Sequence, residues 1–180
     1  TIINTVKGFG WVVGYLEDAL SCLNWKSCTA ATVSWKYKQI GLRAAKETGV
    51  DPSFIDFAFH DFSLRGTCGF QDAIMIGMAH LLSFRGTDNM LALDALEDYY
   101  NANADVEYIG GGVPAAEHSC VCSGKKENEF KNYKRWITQT YPKGILSLVS
   151  DTWNLWKVIT EYLVALKDDI MKRDGKVVIR

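Results

Sequence analysis

Hydrophobic residues in the first part of the chain recur at the spacing of amphipathic helices. Trp11 to Leu23 carries apolar residues at helical intervals, with charged residues on the opposite face. The same spacing returns from about Ser34 to Thr48, after which Gly49 provides a helix stop. We therefore predict two helices, which together make residues 1–50 a helical segment.

Short apolar runs alternate with longer amphipathic stretches over the rest of the chain. The runs predict strands at 54–59, 82–85, 113–115, 145–149 and 177–179. The stretches between them predict helices at 71–82, 90–100, 127–140 and 152–171. Strands that alternate with helices are typical of β/α units built on a parallel sheet.

This alternation predicts an α/β protein in which residues 51–180 form consecutive β/α units of an α/β (TIM-like) barrel. A doubly wound sheet is the alternative, but no Gly-x-Gly-x-x-Gly fingerprint follows any predicted strand. The chain starts at Thr1 and stops at Arg180, directly after an apolar run. We expect that the barrel is truncated at both ends and that the chain is an internal piece of a longer protein.

Composition and charge exclude several classes of function. Hydrophobic residues make up 48% and charged residues 23%, as in ordinary globular domains. The formal net charge of -1 gives no general footprint for nucleic acid, and no apolar run reaches the roughly 18 residues of a membrane span. Five irregularly spaced cysteines indicate reduced thiols and a cytoplasmic protein rather than a secreted disulfide framework.

Polar side chains follow each predicted strand, at the edge where α/β barrels carry their active sites. In chain order these are His60-Asp61, Arg85 to Asp88, Glu117-His118, Ser150-Asp151 and Arg180. Taken singly, several have a structural explanation. Asp61 can orient a loop, His60 can be a packed histidine, and Asp151 can cap the helix that follows it.

Ordered blocks of the sequence resemble the motifs of the nicotinamide phosphoribosyltransferase family. Residues 60–66 read His-Asp-Phe-Ser-Leu-Arg-Gly, similar to the family's His-Asp-Phe-x-x-Arg-Gly motif. Residues 79–88 end in the family's Gly-Thr-Asp, and residues 113–119 match its Val-Pro-Ala-Ala-Glu-His-Ser block. Residues 148–151 and 178–180 match the family's last two strands in order, so the resemblance covers most of the chain.

The resemblance implies a pocket for the base. Phe62 would stack on one face of the nicotinamide ring, as suits a planar pyridine. Asp88 would accept a hydrogen bond from the carboxamide N–H and would repel the carboxylate of nicotinate. Ser147 would line the nicotinamide pocket or its tunnel. The sequence departs from the family's pattern at two places. Gly112 stands beside this pocket, where many relatives have serine. Cys68-Gly69-Phe70 replaces the small polar residues expected after the Arg-Gly motif.

The resemblance also implies how phosphate groups are handled. Arg65 and Arg180 would hold phosphates of phosphoribosyl pyrophosphate or of the mononucleotide product. His118 would be the histidine that ATP phosphorylates, so that ATP is an activating co-substrate. His118, Asp88 and Arg65 would be the catalytic residues, with Mg²⁺ accompanying the pyrophosphate and ATP.

The implied enzyme transfers a 5-phosphoribosyl group to nicotinamide, which gives nicotinamide mononucleotide and pyrophosphate in NAD salvage. By the same resemblance it is a cytoplasmic homodimer, without nucleic-acid or membrane partners. We expect the 180-residue chain by itself to be inactive, because family motifs that follow Arg180 are absent from it.

Other readings of the same residues stay open. A related enzyme could use nicotinate, although Asp88 opposes its negative charge. A metal-dependent α/β-barrel hydrolase could use His60, Asp61, His118 and Asp151, but it would usually show an early His-x-His pair. A zinc site is a weaker hypothesis. It requires that the His-x-Cys-x-Cys segment from residue 118 forms an extended strand. The last alternative is a non-catalytic relative that keeps the fold.

Overall fold

The computed structural model describes residues 3–180 and shows a mixed α/β protein with parallel sheets. The chain divides into two compact units, Thr1–Gly112 and Val113–Arg180. Within the described residues, each unit contains one sheet, and every strand pair in both sheets is parallel. The prediction of an α/β protein with parallel pairing is therefore confirmed.

The first unit opens with one long helix, α1, which spans Val12–Thr48. The prediction of two separate helices here is wrong. Residues 24–33 contain neither glycine nor proline, so nothing in the backbone interrupts the helix between its two amphipathic stretches. The predicted stop is confirmed, because Gly49 takes a left-handed conformation at φ 74° and its N–H caps the carbonyl of Ala45.

The predicted strand at 54–59 is wrong, because Pro52–Phe57 form a 3-10 helix. The Asp51 carboxylate accepts a hydrogen bond from the Ser53 N–H at 2.9 Å, and Pro52 supplies the preorganised backbone of a first helical position. Of the apolar side chains in this run, Ile55 is buried, whereas Phe54 and Phe57 are more than half exposed. Ile55 lies against Gly41 of α1, where a Cβ would come within 2.9 Å of its side chain.

Two short strands and two helices complete the first unit. The helices α2 (Phe70–Leu81) and α3 (Met90–Tyr100) match their predicted spans. The strands are β1 (His60–Asp61) and β2 (Gly86–Thr87). The strand predicted at 82–85 is wrong, because Leu82 is the C-terminal cap residue of α2 and the strand occupies only the two residues after Arg85. β1 and β2 pair in parallel, with His60 opposite Gly86, and a bridge from Gly86 to Gly111 adds a third extended segment beside β2.

The second unit has a three-stranded parallel sheet in the order β3-β4-β5. These strands are β3 (Ala115–Ala116), β4 (Lys143–Leu148) and β5 (Asp174–Ile179). β4 pairs with β5 along its whole length, from Lys143 opposite Asp174 to Leu148 opposite Ile179. The predicted strands at 145–149 and 177–179 are confirmed in place and slightly extended at their start.

Helical segments connect these strands. α4 (His118–Ser123) follows β3 directly, and after a 3-10 turn at Lys126–Asn128, α5 (Glu129–Arg135) continues into a π-helical turn at Trp136–Thr140. The helix predicted at 152–171 is broken into segments. They are α6 (Leu155–Lys157), a π-helical turn at Val158–Tyr162, α7 (Leu163–Ala165) and α8 (Lys167–Met171).

The core of the second unit lies between β4 and its helices. Leu146 and Leu148 of β4 pack with Tyr133, Ile137 and Val158, all of them almost fully buried. At the amino-terminal edge of the sheet, the buried Arg173 donates to several backbone carbonyls, including those of Tyr141, Lys143, Gly144 and Lys176. These bonds satisfy both the guanidinium and the strand ends.

A search of the described residues for a helix long and apolar enough to cross a membrane finds none. All five cysteines are free thiols with exposed side chains.

Tyr133 links the core of the second unit to the carboxyl end of its sheet. Its hydroxyl donates to the carbonyl of Val149 at 2.7 Å, and its side chain is fully buried. Burial raises the pKa of Tyr133 to about 12, and the nearby Glu129 contributes in the same direction. Burial also raises the pKa of Glu129, although the neighbouring Tyr133 side chain opposes this shift.

We predict that Tyr133→Phe lowers the free energy of unfolding by about 1–2 kcal/mol near neutral pH, because it leaves a buried carbonyl without its donor. The difference in free energy of unfolding between Tyr133→Phe and the wild type should become smaller between pH 10 and about pH 12. In that window the unfolded tyrosine ionises while the folded one holds its proton, so the wild type alone loses stability there. Urea titrations at several pH values measure both effects.

The matched control is Tyr99→Phe, because the Tyr99 side chain is 76% exposed and its loss should cost less than about 0.5 kcal/mol. Equal midpoints for Tyr133→Phe and the wild type at neutral pH would contradict the role given to this hydroxyl.

Candidate functional site

A histidine and an aspartate meet at the carboxyl end of the sheet in the first unit. His60 lies in β1 and Asp88 follows β2 directly, and their parallel pairing brings the two side chains to one edge. Nε2 of His60 lies 2.7 Å from Oδ1 of Asp88. A carboxylate can only accept, so the imidazole donates this bond.

The buried Asp61 fixes the backbone around this pair. Its Oδ1 accepts from the Ser63 N–H at 2.8 Å, and its carbonyl accepts from the Asp88 N–H at 3.0 Å. The hydroxyl of Thr87 lies 3.4 Å from its Oδ2. The expectation that Asp61 orients a loop is therefore confirmed, and its carboxylate holds the turns that carry the neighbouring site residues.

Phe62 extends the site with an aromatic face. The centroids of the Phe62 and His60 rings lie 4.5 Å apart at an interplanar angle of 40°. The Phe62 side chain stays 48% exposed, so part of its ring remains accessible. Arg65 is exposed in the following 3-10 helix, Ser63–Gly66. The structure therefore brings Phe62, His60 and Asp88 together, with Arg65 one helical turn further along the chain.

His80 of α2 supports the site from behind, and sequence reasoning missed it. Its Nε2 donates to the carbonyl of Gly86 at 3.1 Å, and its ring packs on Phe84 with centroids 5.2 Å apart. Burial lowers the pKa of His80, although the charge of Asp61 partly opposes the shift. A neutral imidazole therefore holds β2 in place. Its position near the end of a helix that leads into a strand was the only signal in the sequence.

Two glycines give the pair its space. A Cβ at Gly86 would lie 2.8 Å from Nδ1 of His60, so only glycine lets the imidazole rest against β2. A Cβ at Gly112 would lie 3.2 Å from Oδ1 of Asp88 and 3.8 Å from Cε1 of His60. Gly112, the departure noted in the sequence, thus stands beside the predicted carboxamide acceptor.

A second histidine–aspartate pair lies in the second unit. Nε2 of His118, directly after β3, is 2.9 Å from Oδ1 of Asp151, which follows β4. Both side chains are more than half exposed. Asp151 does not cap the next helix, because Asn154 does so by accepting from the Lys157 N–H at 3.0 Å. Sequence reasoning missed this pairing because it treated Asp151 as a cap.

The hypothesis of an extended His-x-Cys-x-Cys strand is wrong, because His118–Ser123 form α4. In a helix, residues two apart point to different sides, which separates Cys120 from His118 and Cys122. Among residues 3–180 we find no group of three or more histidine, cysteine, aspartate or glutamate side chains that could hold a metal ion.

Ser147 and Arg180 lie at the same edge of the second unit's sheet. Ser147 is buried in β4 between Leu146 and Leu148, and side-chain alternation directs it to the face opposite those two core residues. Arg180 follows β5, and its Nη2 donates to the carbonyl of Ala116 at 3.1 Å. That bond carries the Arg180 guanidinium across β4 to the end of β3.

We predict that Gly112→Val separates His60 from Asp88, because the Cβ of the added side chain already crowds Oδ1 of Asp88. Gly10→Val is the matched control, since a Cβ there meets nothing within 4 Å. Crystal structures of both variants give the answer. A His60–Asp88 bond shorter than about 3.2 Å in Gly112→Val would show that Gly112 does not protect the pair.

The chain is similar to known proteins along most of its length. A family model described as the nicotinate phosphoribosyltransferase (NAPRTase) family matches residues 57–180. The chain is 44% identical over 173 residues to a nicotinamide phosphoribosyltransferase of Acinetobacter baylyi, covering 96% of this chain and 34% of that protein. It is 36% identical over 183 residues to a nicotinamide phosphoribosyltransferase of Xanthomonas campestris pv. campestris, covering 100% of this chain and 38% of that protein.

A nicotinamide phosphoribosyltransferase of Mycoplasma genitalium is 33% identical over 177 residues, which cover 98% of this chain and 36% of that protein. The chain therefore spans about a third of the length of the curated relatives it matches. The family match runs from before β1 to the last residue and includes every site residue described above. On this basis, the chain belongs to the nicotinate phosphoribosyltransferase family.

Proposed function

We propose that the protein containing this chain transfers a 5-phosphoribosyl group from phosphoribosyl pyrophosphate to nicotinamide. The products are nicotinamide mononucleotide and pyrophosphate. The observation that carries the proposal is the juxtaposition of Phe62, His60 and Asp88 at the end of a parallel sheet. The names of the curated relatives support the same substrate.

The accessible ring of Phe62 suits one face of a pyridine. Asp88 is an acceptor beside that ring, and a primary carboxamide carries the N–H donors that a carboxylate accepts. One carboxylate oxygen holds His60, and the other has lone pairs for the substrate. In this proposal the aromatic face and the acceptor together orient nicotinamide.

The pyridine nitrogen of nicotinamide is already a nucleophile, so the reaction needs no protein base. The bond from this nitrogen to C1 of the ribose forms as the bond from C1 to the pyrophosphate oxygen breaks, and the electron pair leaves with pyrophosphate. Positive charge develops on the sugar and negative charge on the leaving group. Catalysis then rests on positioning and on electrostatic stabilisation.

Arg65 and Arg180 are the proposed phosphate ligands. A guanidinium fork matches phosphate oxygens, and the bond from Arg180 to Ala116 fixes the direction of its side chain. We propose that Mg²⁺ arrives with the pyrophosphate and ATP groups, since this ion is commonly held by substrate phosphates and only one or two carboxylates.

His118 is the proposed acceptor of a phosphoryl group from ATP. Its ring is exposed, and the bond to Asp151 fixes its orientation. A carboxylate partner also makes an imidazole a better nucleophile by stabilising the positive charge that develops on attack. ATP hydrolysis would then be coupled to turnover through this residue.

In the whole protein we propose that the parallel sheets belong to an α/β (TIM-like) barrel of the type II phosphoribosyltransferase kind. The chain contributes residues 1–50 as a helical segment and 51–180 as β/α units. We propose a cytoplasmic homodimer. The free cysteines suit a reducing compartment. Because the chain spans about a third of its relatives' length, we expect it to lack transferase activity by itself.

We predict that Asp88→Asn in the intact protein lowers the preference for nicotinamide over nicotinate at least about tenfold. Two negative charges about 4 Å apart repel by roughly 4 kcal/mol at an effective dielectric of 20, and exposure to solvent reduces this value. The ratio of the two kcat/KM values measures the preference. If that ratio stays unchanged, Asp88 does not select the amide, and if the wild type forms no mononucleotide, the proposed reaction is wrong.

We predict that His118→Ala abolishes both phosphorylation of the protein by ATP and the stimulation of transfer that accompanies it. The reason is that the proposed phosphoryl acceptor is lost. Radiolabel transfer from γ-labelled ATP is the direct assay. Cys122→Ala, an exposed substitution on the same short helix, should keep the label. Equal labelling of His118→Ala and the wild type would remove His118 from this role.

A further inference from the structure

The imidazole of His60 is held on three sides. Its Nε2 donates to Asp88 at 2.7 Å, its face packs on Phe62 with centroids 4.5 Å apart, and its Nδ1 lies against Gly86. The His60 side chain is 24% exposed, whereas that of Asp88 is 49% exposed. His60 is thus the more enclosed partner of the pair, and Asp88 is the more exposed one.

We propose that His60 is a positioning residue that selects primary carboxamides through Asp88. This inference rests on the proposed function, and it gives that function a specificity element that the sequence motifs do not assign. By holding Oδ1, His60 limits rotation of the Asp88 carboxylate and directs Oδ2 to a substrate that stacks on Phe62.

The strength of this bond follows from its chemistry. A hydrogen bond to an ionised acceptor is stronger than one between neutral groups, and this one is short. Its acceptor is the Asp88 carboxylate, which as an ion only accepts hydrogen bonds and repels the carboxylate of nicotinate. A lysine or arginine in place of His60 would set a full positive charge beside the carboxylate and so weaken its repulsion of nicotinate.

The space around the pair agrees with this role. Gly86 leaves room for the imidazole on one side, and Gly112 leaves the flank of Asp88 open on the other. The buried Asp61 holds the backbone N–H of Asp88 at 3.0 Å, so the main chain at Asp88 is fixed and only its side chain needs a partner. His60 supplies that partner.

The test compares His60→Phe with His60→Gln in the intact protein. Phenylalanine keeps a ring against Phe62 but has no donor, whereas the glutamine amide can donate from about the position of Nε2. His60→Phe should raise the KM for nicotinamide at least about tenfold and lower the preference over nicotinate, because a hydrogen bond to a charged group is lost. The KM for phosphoribosyl pyrophosphate should change less than about twofold, and His60→Gln should recover most of the loss.

A purely structural role would lower activity without this split and would not be rescued by glutamine. That outcome, or an unchanged preference in His60→Phe, would overturn the inference while leaving the proposed reaction in place. Calorimetric titration with nicotinamide provides a readout that does not need turnover. If the wild type binds nicotinamide but forms no mononucleotide, weaker binding by His60→Phe than by His60→Gln still supports the inference, and equal binding refutes it. A wild type that binds no nicotinamide overturns both.

Discussion

Parallel strand pairing is the constraint on which the candidate site residues depend. Parallel neighbours end at the same edge of a sheet, so residues far apart in sequence are brought side by side there. In the first unit, the pairing of β1 with β2 places Asp88 beside His60. In the second, the pairing of β3 with β4 does the same for His118 and Asp151. A change in either register would separate both members of a pair.

Buried polar side chains outside the proposed reaction stabilise the strand register in each sheet. In the first unit, Asp61 and Asn89 bond the backbone of the turns and helix around β2, and His80 is kept neutral by burial while it holds Gly86. In the second, Arg173 fixes one edge of the sheet and Tyr133 the other. These hydrogen bonds therefore fix the geometry of each sheet. The geometry of the sheet in turn sets the positions of the exposed side chains at its edge.

The sequence was sufficient for elements whose pattern had one explanation. The pattern predicts α3 at its observed bounds, and short apolar runs predict strands where β4 and β5 lie. The apolar run at 54–59 was misleading, because the local bond from Asp51 to Ser53 and the proline between them favour a 3-10 turn over a strand. Composition alone does not reveal that competition.

Sequence motifs name single residues of the candidate site, but they do not indicate which of these residues pair. Phe62, Asp88 and His118 were identified through motifs, yet no periodicity indicates that His60 bonds Asp88 or that Asp151 bonds His118. Such contacts depend on register and on the space left by Gly86 and Gly112, which only coordinates provide.

The most direct measurement is a crystal structure of the intact protein with nicotinamide bound. The account predicts that the pyridine ring stacks on Phe62 and that the carboxamide nitrogen lies within about 3.2 Å of Oδ2 of Asp88. It also predicts that Nε2 of His60 remains on Oδ1 of that carboxylate. A ring bound away from Phe62, or a carboxamide that makes no contact with Asp88, would contradict it.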